Sequence, residues 1–80
     1  MGIAEHERAV LTRDVPEKNL KAGDVGTVVS VHAAQADGGE RAGYTLEFMS
    51  PSGETVAIAT VFADAVRPVG PREVNHARAI

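Results

Sequence analysis

The side chains with which this sequence could do acid–base or nucleophilic chemistry are His6, His32 and His76, and Ser30, Ser50 and Ser52. No two of the histidines have the short spacing of a metal site, so surface or edge histidines are the simpler reading. There is no cysteine, which removes thiolate ligands, a thiol nucleophile and disulfide staples. Ser50 and Ser52 flank Pro51, where serine is an ordinary turn residue. No Gly-x-Ser-x-Gly elbow occurs, and a Ser–His pair through His32 would lack an orienting third group and an oxyanion hole. Among the carboxylates, Asp37 and Glu40 share a loop tip, and Glu47 and Glu54 are expected to face each other across a hairpin. Solvated acids account for both pairs. Gly38-Gly39 and Gly23-x-x-Gly26 open no helix and precede no Lys-Ser/Thr, so they are turn glycines rather than a phosphate loop. The expectation is therefore no catalytic residue, no metal ligand, no cofactor and no enzymatic activity.

Charge is distributed unevenly. Residues 1–21 balance at zero, residues 22–66 carry six acids against Arg41 alone for a sum of −5, and residues 67–80 carry Arg67, Arg72 and Arg78 against Glu73 for +2. An acidic body with a basic tail is the reverse of the basic stripe that displaces counterions from phosphates. The three aromatic residues Tyr44, Phe48 and Phe62 are all expected in the core, which leaves no ring for base stacking. A nucleic-acid-binding barrel of the KOW type, using Arg67, Arg72 and Arg78, is the alternative function class. No apolar stretch approaches the roughly 20 residues that span a bilayer, and the charged start Glu5-His6-Glu7-Arg8 is unlike a signal peptide. A cytoplasmic location is expected, with no membrane partner.

Eighty residues suit one domain with a small core. Residues 1–7 are polar and expected to be disordered. Residues 8–69 hold five β segments. The first is Arg8 to Arg13, ended by Asp14-Val15-Pro16-Glu17 and followed by a long loop in which Leu20 is the apolar plug. Asp24 to Ala33 has β-branched residues at Val25, Thr27, Val28, Val29 and Val31, with Gly26 marking a bulge or bend. After a glycine-rich tip at Ala36 to Glu40, Gly43 to Met49 alternates, with Tyr44, Leu46 and Phe48 on the core side. Ser50-Pro51-Ser52-Gly53 is a tight turn. The returning strand, Glu54 to Val61, is expected to point Val56 and Ile58 inward. Phe62 to Ala65 reads as a single 3₁₀ turn and Val66 to Val69 as a last short strand. The tail, 70–80, has a helix-compatible charge order around Pro71, Glu73, His76 and Arg78. Five short strands with close turns predict an all-β, five-stranded SH3-like barrel with a short C-terminal tail or helix.

The 54–61 strand is apolar on both faces, where a half-exposed strand should alternate with polar residues. With Val56 and Ile58 inward, the second face comprises Ala57, Ala59 and Val61, with Met49 adjacent. Either the chain's own tail covers it through Val74, Ala77 and Ile80, or another chain does. The sequence thus suggests a protein-interaction module, an accessory subunit, antitoxin-like partner or homo-oligomer. Its expected contacts are Met49, Ala57, Ala59 and Val61 with the basic tail residues Arg67, Arg72 and Arg78.

A family resemblance rests on Leu11-Thr12-Arg13-Asp14-Val15-Pro16-Glu17 and on the run from Ala22 to Val29, Ala-Gly-Asp-Val-Gly-Thr-Val-Val. It is supported by Tyr-x-Leu-Glu-Phe at 44–48 and Gly-Glu-Thr-Val at 53–56. Over residues 9–69 the chain resembles the small bacterial SH3-like proteins of domain-of-unknown-function family 4926. The Gly-x-x-Gly-x-Val turn is also similar to those of KOW domains and of the SH3-like subunit of nitrile hydratase. The resemblance implies a fold and a bacterial source, and no catalytic residue.

Overall fold

The computed structural model describes residues 2–34 and 41–80; the expected hairpin tip at Ala36 to Glu40, with Asp37, lies outside them. Five antiparallel strands form one sheet: β1 Arg8–Leu11, β2 Val25–His32, β3 Gly43–Met49, β4 Thr55–Phe62 and β5 Val66–Pro68. Their order, β4-β3-β2-β1-β5, puts β1 between β2 and β5 and leaves β4 and β5 as edges. Single 3₁₀ turns lie at Pro16–Lys18 and Ala63–Ala65, and no α-helix forms among the described residues. The all-β expectation holds, and this arrangement is consistent with an SH3-like barrel.

The core assembles from the inward sides of all five strands and the long loop. Ala9 and Leu11 of β1, Val28 of β2, Tyr44, Leu46 and Phe48 of β3, Ala59 of β4 and Val66 of β5 pack together with Leu20. Leu20 is the plug its isolation in a polar loop suggests. Val15 and Leu20 exchange backbone hydrogen bonds of 2.8 and 3.1 Å across the Pro16–Lys18 turn, which folds the loop back on itself. Gly26 does not mark the bulge in β2. That irregularity lies between Val28 and Ser30, and Gly26 pairs in register with Ala9. Its missing side chain is where Phe48 sits, since a Cβ at 26 would stand 2.9 Å from the ring. The demand is packing, not bending.

The N-terminal segment is a correction to the sequence reading. Residues 2–7 are packed on the barrel. Ile3 is buried and its N–H donates to the Tyr44 hydroxyl at 3.0 Å. His6 N–H donates to the Val28 carbonyl at 2.7 Å, and Val28 N–H donates to the Glu7 carbonyl at 2.8 Å, which extends the β1–β2 pairing. One isoleucine among charged residues carries no periodicity, so pattern reading could not detect it.

Of the two forms expected for the C-terminal segment, tail or helix, the structure has the tail. Residues 70–80 form one turn at Pro71-Arg72 and no helix. Glu73 turns back: its carboxylate accepts both terminal nitrogens of Arg67 at 2.6 Å and the Gly70 N–H at 2.6 Å. A bidentate pair of this kind offers more than the first turn of a marginal helix could.

Candidate functional site

The outward side of the β2–β3–β4 layer is the place to look for a partner, and it is built differently from the sequence expectation. Ala59 is buried, and Ala57 and Val61 pack against the core. Val56 and Ile58, expected inside, are 46% and 51% exposed. The phase of β4 is therefore inverted, and three of the expected partner contacts, Ala57, Ala59 and Val61, face the interior. Met49 is exposed as expected.

The cause is one residue. Met49 pairs with Thr55, but Phe48 pairs with Ala57, so a bulge at Val56 inserts an extra residue into β4. A ladder continued without it would set Phe48 against Val56 and Leu46 against Ile58, the phase expected from the sequence. A one-residue shift turns every later side chain to the other face. The inverted phase fits the volumes. Phe48, Leu46 and Tyr44 fill the core from β3, and their partners Ala57, Ala59 and Val61 are small or medium. An isoleucine opposite Leu46 would overpack that layer.

Along the outward face, Glu47 pairs with Ile58, Thr45 with Thr60 and Gly43 with Phe62 on β4, while Ser30 and His32 of β2 flank Thr45 and Gly43. His32 Nε2 lies 2.9 Å from Thr45 Oγ1, and Thr45 Oγ1 lies 2.8 Å from Thr60 Oγ1. The Thr55 hydroxyl donates to Glu47 Oε2 at 2.5 Å. Glu47 is thus engaged by Thr55 and does not oppose Glu54. His32 meets a threonine, not a serine. A polar band runs across the middle of the face. At the hairpin end lie Met49, Val56 and Ile58; at the other end Phe62 lies beneath Arg41, whose guanidinium carbon is 3.9 Å from the ring centre. Arg41 is itself held by Asp64 at 3.1 Å, with Arg13 at 3.7 Å from the same carboxylate. Sequence reasoning missed Val56, Ile58 and Phe62. The signal available was cross-strand volume matching: a strand carrying Tyr44, Leu46 and Phe48 calls for small partners.

The tail does not cover this face. Val74 is almost wholly exposed, and Arg78 reaches the long loop instead. Its Nε donates to Asp24 Oδ1 at 2.8 Å, and its Nη2 donates to Asp24 Oδ2 at 2.5 Å and to the Asn19 carbonyl at 2.8 Å. Through Arg78 the basic tail thus meets one carboxylate of the acidic body. Of the three tail arginines, Arg67 and Arg78 are bound to carboxylates of the same chain. Arg72 is exposed.

The ion pairs shift both partners. Bidentate contact with Arg67, helped by the Gly70 N–H, holds the Glu73 carboxyl down to about 2. The Arg78 guanidinium holds Asp24 below its ordinary value against a smaller opposing effect of burial. A depressed carboxylate contributes above its unfolded pKa, near 4.3 for Glu, and its contribution is lost as pH falls through the folded value. The Glu73 strap is accordingly expected to persist at pH 3.5 and open only near pH 2. Carbon-detected titration of the Glu73 carboxyl checks this: its midpoint should lie near 2, and a midpoint near the ordinary glutamate value of about 4.3 would mean that the strap is open in solution.

Among the described residues, no cluster of three or more His, Asp or Glu is arranged to hold a metal ion, and no helix is long and apolar enough to cross a membrane. In comparison with known proteins, the family model described as a domain of unknown function, DUF4926, matches residues 5–68. That span takes in all five strands and the loop bearing Asn19 and Asp24, and it stops short of the tail. No curated protein and no solved structure matches the chain.

Proposed function

The chain belongs to the DUF4926 family, and from that premise we propose that it is a non-catalytic protein-interaction module. Its docking surface is the outward side of the β3–β4 hairpin. The reading is carried by the exposure of Met49, Val56 and Ile58 at one end of an edge strand that also bears Phe62. An edge strand without a charge or a proline between Thr55 and Phe62 lacks two of the devices that ordinarily discourage pairing with another chain, and beyond the bulge at Val56 its ladder runs regularly from Ala57 to Phe62. Exposed apolar side chains on such an edge mark an association site. The contacts are Met49, Val56, Ile58 and Phe62, and the partner is another protein chain, in an accessory-subunit or homotypic assembly.

Ile58→Asp tests this. Ile58 is half exposed, so the change should leave stability within about 1 kcal/mol, while a charge placed in an interface centre should weaken association about 10- to 100-fold. Light scattering on the purified protein at graded concentrations measures self-association, and capture from cells with native and Ile58→Asp baits measures association with other proteins. A folded Ile58→Asp chain that keeps the native mass and the same captured proteins would sink the reading.

A further inference from the structure

The contact between Arg78 and the long loop has the construction of a receptor and its ligand. Three acceptors converge on one guanidinium: Asp24 Oδ1, Asp24 Oδ2 and the Asn19 carbonyl. Each is fixed independently of the tail. Asp24 Oδ2 also accepts the Lys21 N–H at 2.8 Å. Asn19 sits in the left-handed region at φ 58° after the 3₁₀ turn, with its N–H on the Pro16 carbonyl. Asp14 Oδ1 accepts the Ala22 N–H at 2.9 Å and closes the loop from the other side. The planar guanidinium fork suits such a set, whereas an ammonium would meet it only as a point charge. Beside it lies an open groove of about 510 Å³, walled by Pro16, Leu20 and Lys21 of the loop and by Ala79 and Ile80 of the tail.

Beyond the Glu73 strap to Arg67 and Gly70, the tail has little else to hold it. The buried core ends at Val66, and residues 71–80 are all exposed. Departure of the tail would break the Arg78 contacts and leave the core intact. The acceptors lie inside the family-matched span, and the arginine that fills them lies outside it.

We propose that the 14–24 loop is a recognition site for an arginine side chain carried on an extended peptide of a partner protein, with small or apolar residues following the arginine, and that the chain's own tail occupies this site in cis. Within the loop Asp14, Glu17 and Asp24 outnumber Lys18 and Lys21, a small negative balance that favours such a basic segment. The tail then acts as a built-in competitor, since an intramolecular ligand has a high effective concentration and reduces the apparent affinity of any other by the fraction of molecules left open. The site shares no residue with the docking surface proposed on β3 and β4, so it stands or falls without the reading given above.

The test uses the full chain with Arg78→Ala, which empties the site, and a synthetic peptide of residues 74–80 as the probe. Amide shifts confined to residues 14–24 are expected, with binding at least about tenfold tighter than to the native chain, whose tail competes. A peptide with citrulline in place of arginine keeps the shape and loses the charge, and should not bind. Asp24→Asn in the Arg78→Ala background should abolish binding of the native peptide; if that variant proves unfolded by circular dichroism, the citrulline peptide decides alone. Equal affinity for native and Arg78→Ala chains, equal binding of the citrulline peptide, shifts centred elsewhere, or no shift at millimolar peptide would each overturn the proposal.

Discussion

Ala59→Asp should unfold the domain, while Ile58→Asp, one residue away, should leave it folded. Ala59 is 4% exposed, lies opposite Leu46 and belongs to the same packed cluster as Val28 and Phe48. A carboxylate there would lose its water and gain no partner, and its neutral form would still overfill the layer. The expected loss is about 4 kcal/mol or more. A domain of this size has roughly 4–12 kcal/mol in total, at about 0.05–0.15 kcal/mol per residue, so the loss is at least a third of the stability and at the lower end of the range all of it. At position 58 the same carboxylate points to water beside Glu47. Urea unfolding followed by circular dichroism separates the two. The opposite result, with position 58 intolerant and position 59 permissive, would mean that β4 runs without the bulge at Val56.

That contrast also shows where the sequence stops being informative. The strand boundaries, the Leu20 plug, the turn at Ser50 to Gly53 and the inward set Tyr44, Leu46 and Phe48 were all legible, because each has a local signature in alternation, isolation or turn chemistry. The face of β4 was not. A strand that is apolar on both sides carries no alternation to set its phase, and the bulge that inverts it is a response to the volumes on β3. The outer side of β4 carries apolar residues under either phase, so the association surface proposed above rests on Val56, Ile58 and Phe62 where the sequence pointed to Ala57, Ala59 and Val61. The docked N-terminus and the Arg78 contact were invisible for a different reason. Both are pairings between segments far apart in the chain, Ile3 with Tyr44 and Arg78 with Asp24. Composition showed that acidic and basic regions existed without showing which carboxylate met which arginine.

Gly43→Ala should cost about 3 kcal/mol, the upper end of what overpacking costs, although alanine is a small change and Gly43 has no left-handed backbone to protect. The constraint is steric. A Cβ at position 43 would lie 2.6 Å from the Val61 carbonyl oxygen, a backbone atom that cannot rotate aside. Gly43 pairs with Phe62 on one side and His32 on the other, so relief requires the C-terminal end of β4 to move away from β3. The hydrogen bond from Ala63 N–H to the Ala42 carbonyl, 2.9 Å, stands next to that opening, and so does the stacking of Arg41 on Phe62. The Ala63 amide should therefore exchange with solvent markedly faster in Gly43→Ala, while amides at the hairpin end keep their protection. Gly53 provides the control. Its φ is +92° with nothing within 4 Å of a Cβ, so the cost of Gly53→Ala is conformational, about 1–2 kcal/mol. Asparagine tolerates that region better than alanine. Gly53→Asn should thus be milder than Gly53→Ala, whereas Gly43→Asn should be worse than Gly43→Ala. The same ordering at both glycines would show that backbone conformation, and not the approach of β4 to β3, sets the need for glycine at 43.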